Sequence, residues 1–396
     1  MYGTDNPVIE IDCNNSMTAY LDCPHFREVI DKKADMLSNG EWKCVSIDDE
    51  EKEFKDDPGL KLLRKPNPFQ AENDFLWQSS FFKNLFSNNF IYKPQGSVFV
   101  LPKMMWHLPS DEMKIKFKNM QTFYDQYELS GMIDSFLLCQ GATTKPYDVK
   151  DMIFKAENFS FKEGKGTSKV PSLKLPINNL VASLRTRNVL SVNFGVRGIL
   201  SHDDKDIHGA LPVKQTDKDI VNEQLSADHN LYSGQSKMKI SSRPVRFTQV
   251  SGNINDMKLL ESEEQDFKII AAMFGMPKDI FPFTSGATFE NQQQAKKGAY
   301  EDTIIPEADS FAQAITEALN PGKGRKYILS FDHLRILKED ELKEAQSDKT
   351  EIEGLSIAYR DGIISAEEYA KAMGTKLTGD GQIKQPRTTN APPAVN

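Results

Sequence analysis

The feature that most limits what this chain can fold into is a pair of strong helical patterns held apart by a stiff, apolar loop. LLESEEQDFKIIAAMF (259–274) has helical periodicity and stops where Gly275 ends it, with Pro277 just beyond. A second pattern begins near Thr288, runs through FENQQQAKKGAYEDTII, resumes after Pro306 in EADSFAQAITEAL, and ends at Asn320-Pro321-Gly322. A proline inside a helix removes one N–H and frees a carbonyl a turn earlier, so Pro306 predicts a kink. Between them lies PKDIFPFTSGAT (277–288). It is long for a connector, and Ile280, Phe281 and Phe283 are apolar enough to hold it in a shape.

The remaining segments mix helix and strand, giving an α+β class. Residues 17–37 read as a helix interrupted at Pro24, and Gln70 to Phe86 as another. Before the second, Leu60, Leu62 and Leu63 pack and Pro66-Asn67-Pro68 must turn. The acidic run from Asp48 to Asp57 reads as a solvated loop. Residues 90–161 are β-like, with a hairpin around a Pro-Gln-Gly turn and a strand candidate at 151–161. A helix opened by Pro176 spans 176–192. Short extended pieces follow at 196–201, 237–241 and 245–250, around a polar helix at 216–234. A helix hairpin begins at 338, its second arm opened by the capping box Ser365-Ala366-Glu367-Glu368. After about 378 a polar Pro/Thr/Asn tail has nothing to bury and is expected to be disordered.

Composition removes several function classes. A net charge of -8 on 396 residues argues against a protein that grips nucleic-acid phosphates over its whole surface. Cys13, Cys23, Cys44 and Cys139 form no C-x-x-C pair and no zinc spacing, so they read as scattered thiols, and no metal or cofactor is expected. The N-terminus lacks a secretory pattern, and no apolar run reaches the roughly 20 residues that cross a bilayer. No P-loop, H-E-x-x-H or G-x-S-x-G occurs, and Gly164-Lys165-Gly166-Thr167 lacks the first glycine a phosphate cradle needs. The expectation is a protein that is not an enzyme.

Four stretches, taken in order, resemble the portal protein family of tailed, double-stranded DNA bacteriophages, of the long-tailed type. They are LLRKPNPFQAENDF, EEQDFKIIAAMFGMPKDIF, ATFENQQQAKKGAYEDTIIPEADSFAQAITEAL and LSIAYRDGIISAEEYAKAMG. The resemblance implies a phage portal fold with a mixed α/β wing (1–175), a stem helix (176–194), a small α/β clip (195–256) and a second stem helix (257–275). A tunnel loop (276–288), a kinked long helix returning to the wing (289–334), a helical crown (335–377) and the tail (378–396) complete it. It further implies a homo-oligomeric ring, usually a dodecamer, at one capsid vertex of the virion, assembled in the host cytoplasm. Double-stranded DNA would pass through the channel, the large terminase and then tail adaptor proteins would dock, and the major capsid protein would surround the ring. A head-tail adaptor or minor capsid protein is the alternative structural reading, and a DNA-processing enzyme a more distant one.

The same resemblance assigns working parts. Ile280, Phe281, Phe283, Thr284, Ser285, Gly286 and Thr288 would form the tunnel loop. Gln292, Gln293, Lys296 and Lys297 are candidates for DNA contact, or equally exposed helix positions. In the clip, Lys237, Arg243 and Arg246 are candidates for docking an acidic partner, or plain exposed strand charges. The alternating charges of the long helices fit either solvated faces or pairing between subunits.

Overall fold

The computed structural model describes residues 11–12, 15–94, 101–118, 128–160, 164–192, 198–202, 245–249, 259–281, 288–322, 324–338, 353–357, 360–361 and 365. The chain divides into two compact units, Met1–Ser330 and Phe331–Asn396. In the second, 335–338 and 353–357 are helical.

The first unit is built on a helical layer. Helix α1 (Ser16–Asp22) starts where the Asn15 side chain accepts hydrogen bonds from the Met17 and Thr18 N–H groups. The chain breaks at Cys23, and α2 (Pro24–Ser38) begins with proline in its first turn, where a missing N–H costs nothing. Phe26, Val29, Ile30, Ala34 and Leu37 make a fully buried stripe along α2. That stripe packs on α4 (Glu72–Phe86), which follows strand β1 (Glu41–Ser46) and helix α3 (Pro58–Arg64). Asp57 opens α3, its carboxylate accepting from the Gly59 and Leu60 N–H groups at 2.9 and 3.2 Å. The acidic run thus divides: Asp48 to Glu51 are exposed, as expected of a solvated loop, whereas Asp57 is buried because capping α3 needs its carboxylate.

The β part comprises small antiparallel sheets. Strand β2 (Asn88–Tyr92) lies between β3 (Trp106–Leu108) and β7 (Met152–Ala156). A meander joins β4 (Met113–Phe117), β5 (Ile133–Gln140) and β6 (Thr143–Tyr147), and Leu129–Met132 forms the short helix α5 before β5. Phe90, Phe136 and Phe154 stack between the two sheets to make one apolar core. A two-residue ladder pairs β8 (Phe159–Ser160) with β9 (Lys165–Gly166). Next come α6 (Lys174–Val192), whose first turn contains Pro176, and the antiparallel pair β10 (Gly198–His202) and β11 (Val245–Gln249). Helix α7 (Leu259–Met273) returns along α6. The last helices, α8 (Phe289–Ala299) and α9 (Ile305–Leu319), lead to β12 (Arg325–Ser330), which pairs antiparallel with β1. Trp42 of β1 then packs on Phe311 of α9, with ring centroids 5.9 Å apart. The expected helix at 216–234, the strand at 237–241, most of the hairpin beyond 338 and the tail lie outside the described residues.

His107 on β3 ties the helical layer to the sheet. Its Nε2 is 2.9 Å from Ser79 Oγ and its Nδ1 3.0 Å from Asn89 Oδ1, while Phe75 stacks against the ring at 4.2 Å. Burial pushes its pKa down to about 3, with the Phe75 carbonyl opposing. The unfolded chain takes up a proton near 6.5 and the folded chain does not, so stability is full above pH 6.5 and falls as pH drops toward 3. At about 1.4 kcal/mol per pH unit, up to about 2 kcal/mol is expected to be lost between pH 6.5 and 5. Urea midpoints across that window check this. His107→Gln should flatten the slope, and an unchanged slope would remove His107 as its source. Wild-type minus variant cancels the contributions of half-buried His25, also lowered by burial, and of the Glu28 and Glu72 carboxyls, which burial raises.

Candidate functional site

The end of α7, the loop after it and the two halves of the long helix meet the helical layer at one junction. Helix α7 closes with a left-handed Gly275 at φ +71° and a Met276 N–H donating back to the Ala271 carbonyl at 2.9 Å. The Thr303 hydroxyl donates to the Gly275 carbonyl at 2.8 Å, and a Cβ on Gly275 would lie 2.6 Å from that hydroxyl oxygen. Glycine is therefore required twice, for its dihedral and for the close approach. From here the chain makes a 3-10 turn, Lys278–Ile280, and Phe281 is buried edge-to-face against Phe267, ring centroids 4.9 Å apart.

Among the expected loop residues, Ile280 is therefore half-buried and Phe281 is the anchor at the base. Thr288 is exposed and caps α8, its hydroxyl accepting from the Asn291 N–H at 3.3 Å. Phe283, Thr284, Ser285 and Gly286 lie outside the described residues. Gln292, Gln293 and Lys296 are exposed on α8, and Lys297 is 3.4 Å from Glu301. Lys237 and Arg243 also fall outside, while Arg246 belongs to β11 opposite Ser201.

Pro306 sits in the first turn of α9, and the five residues before that helix, Tyr300–Ile304, form a π-helix. A proline has no N–H to give the carbonyl four residues back, and its ring crowds that carbonyl. Widening the preceding turn relieves the crowding while the helix continues. The widened turn is held from both sides, by Asn39 donating to the Tyr300 hydroxyl at 3.3 Å and by Thr303 on Gly275.

Immediately after Pro306, Glu307 is buried in a charged cluster. Lys33 of α2 and Lys83 of α4 both lie 3.1 Å from its Oε2, and Ser80 and Asn84 donate to its Oε1 at 3.0 and 3.2 Å. Burial opposes the charge on Glu307, but the two ammonium groups outweigh it and hold the carboxyl at about 2. Burial acts on Lys33 in the other direction and lowers its pKa, with Glu307 opposing. Lys33 also donates to the Phe274 carbonyl at 3.1 Å, one of the orphan acceptors at the end of α7. One carboxylate thereby fixes α2, α4 and α9 to each other, and through Lys33 to α7. The sequence marks the kink at Pro306 but not Glu307, one acid among 57 acidic residues.

A second polar cluster joins α6 to α7. Glu263 accepts from the Ser183 hydroxyl and lies 3.0 Å from Arg187. Among the described residues, no group of His, Cys, Asp and Glu is placed to hold a metal ion, and no helix is long and apolar enough to cross a membrane.

This arrangement has relatives. The family described as phage portal protein matches residues 24–374. Uncharacterised proteins from Rickettsia felis and Rickettsia bellii are 25% and 24% identical over 286 and 289 residues, each covering 72% of this chain and 71% and 72% of their own. In fold, the chain is similar to one from the neck of an empty gene transfer agent particle, with a TM-score of 0.59 and 17% identity over 93% of this chain and 94% of that one. A chain from the neck of the native particle, computed with twelvefold symmetry, gives 0.56 and 16% over 94% and 95%. The crystal structure of an HK97-family phage portal protein from Corynebacterium diphtheriae gives 0.53 and 10%, covering 80% of this chain and 96% of that one. A match from the start of α2 to beyond the last described residue, on a fold shared with a solved phage portal protein, shows that the chain belongs to the phage portal protein family.

Proposed function

We propose that copies of this chain close into a ring, twelve in the assembled particle, lining a channel at one capsid vertex through which double-stranded DNA enters and leaves. The observation that carries the reading is the family match across 24–374, and the fold likeness to a neck computed with twelvefold symmetry supports the stoichiometry. On this reading α6 and α7 are the stem, β10 and β11 the described part of the clip, and 276–288 the tunnel loop. The loop's base is stiff because Gly275 and Phe281 are both fixed, which suits a segment that projects from a helix pair. A net charge of -8 per chain gives a ring of twelve a formal charge on the order of -100, and such a wall repels phosphates and lets a duplex slide. The large terminase and then tail adaptor proteins would dock at the clip, and the major capsid protein would surround the wing. The role is structural, and no catalytic step is assigned to any residue.

Electron microscopy of the purified chain, with an ATPase assay alongside, tests this. Ring-shaped particles with an open axis and no nucleotide turnover are expected. A strictly monomeric protein, or robust ATP hydrolysis without any partner, would remove the reading.

A further inference from the structure

Two helix rows, one on α7 and one on α8, are exposed. In α8, Phe289 to Gln294 are exposed one after another, and Phe289 is 75% exposed. A helix on a folded body ordinarily hides one stripe, so these six residues without a covered side have no covering partner among the described residues. In α7, Glu261, Gln265, Ile269 and Met273 recur every fourth residue and are all exposed, forming a ridge that is acidic at its start and apolar at its end. Ile269 is 52% exposed and Met273 38%. Both rows are exposed in the same chain, so they do not cover each other within one subunit.

We propose that these rows meet between subunits: α8 of one copy lies antiparallel along the α7 ridge of the next, with Phe289 on Ile269 and Met273 and Lys296 beside Glu261. This rests on the ring reading and names the contact that would close it. The spacings agree. Phe289 to Lys296 is a rise of about 10.5 Å, and Ile269 back to Glu261 about 12 Å, at 1.5 Å per residue. Gln292 and Gln293 then face Gln265, neutral groups that both donate and accept. The parallel arrangement would set Phe289 against Glu261 and Lys296 against Ile269, leaving the apolar groups wet and the charges apart. The two rows are different surfaces, so the contact is head to tail, the kind that generates a ring when its rotation closes. The seam turns Gln292 and Lys296 toward a neighbouring subunit, away from the DNA contact that the sequence alone also allowed.

The test uses the full chain. Phe289→Asp is expected to shift most of the protein from ring to small species in light scattering and electron microscopy, with helix content and melting unchanged. Lys296→Glu should lower the ring fraction severalfold, and adding Glu261→Lys should restore it, which a general folding defect would not show. Differently tagged Phe289→Cys and Ile269→Cys chains, mixed during assembly, should cross-link with a short thiol reagent only when both are present. Wild-type-like rings from Phe289→Asp with no cross-link would overturn the seam and leave the ring reading intact. Normal rings that fail only in DNA packaging would overturn it in favour of α8 facing DNA. A wild-type chain that forms no ring would instead sink the ring reading itself.

Discussion

Glu307→Gln is expected to destabilise the folded chain by about 3–5 kcal/mol, among the largest effects of any single polar substitution in it. The substitution leaves Lys33, with only 6% of its side chain exposed, as a buried charge without its carboxylate. Lys83 suffers less, because Glu157 lies 2.7 Å away and keeps it paired. The signature separating this from a simple packing loss is non-additivity. Lys33→Met removes the stranded ammonium, so the Lys33→Met, Glu307→Gln double variant should recover part of the loss, with a coupling of about 1–3 kcal/mol in a double-mutant cycle. Chemical denaturation of the four proteins measures it. Additive losses would mean that the two groups act independently and that the cluster does not bind α2 to α9. Because Lys33 also holds the Phe274 carbonyl, both single variants should speed amide exchange at the end of α7.

Asp57→Ala should cost about 2–4 kcal/mol, combining a lost helix cap with a stranded buried donor. The Tyr327 hydroxyl donates to Asp57 at 2.7 Å, and burial, then the bond to Asp57, raise its pKa well above the usual phenol value, so it remains a donor. Arg325 lies 3.6 Å from the same carboxylate and stacks over Phe54 at 4.0 Å. The cap thus also clamps β12 to the start of α3, far away in sequence. Tyr327→Phe with Asp57→Ala removes the stranded hydroxyl and should lose less than the sum of the two. If Asp57→Ala costs no more than an exposed cap, about 1 kcal/mol, the Tyr327 bond contributes nothing. Asp57→Asn keeps an acceptor for the helix N–H groups and should fall between wild type and alanine.

Both residues mark where reading the chain in one dimension stops. Asp57 closes an acidic run whose other members are solvated, and nothing in the run's composition separates it from Asp48 or Asp49. Glu307 follows a proline that is legible as a helix kink, yet its partners Lys33 and Lys83 arrive from helices more than two hundred residues earlier. Strands β1 and β12 escaped for a related reason. Each is six residues long, and their pairing is set by α9 laying Phe311 on Trp42 rather than by an alternating pattern in either strand. The helix breaks at Cys23 and Gly275 and the irregularity at Pro306 were legible because proline and glycine act through their own backbone, whatever surrounds them.

The sequence by itself determined the long helices α2, α4, α6, α7, α8 and α9, the glycine stop of α7 and, through four ordered motifs, the family. These depend on periodicity and on residues whose conformational limits are local. Only the tertiary structure decided that the turn before Pro306 widens into a π-helix, that Phe281 anchors the loop base, and that one buried glutamate binds helices from opposite ends of the first unit. Burial and charge pairing belong to the assembled fold, because a carboxylate's environment depends on which distant ammonium groups and helix ends the fold brings to it.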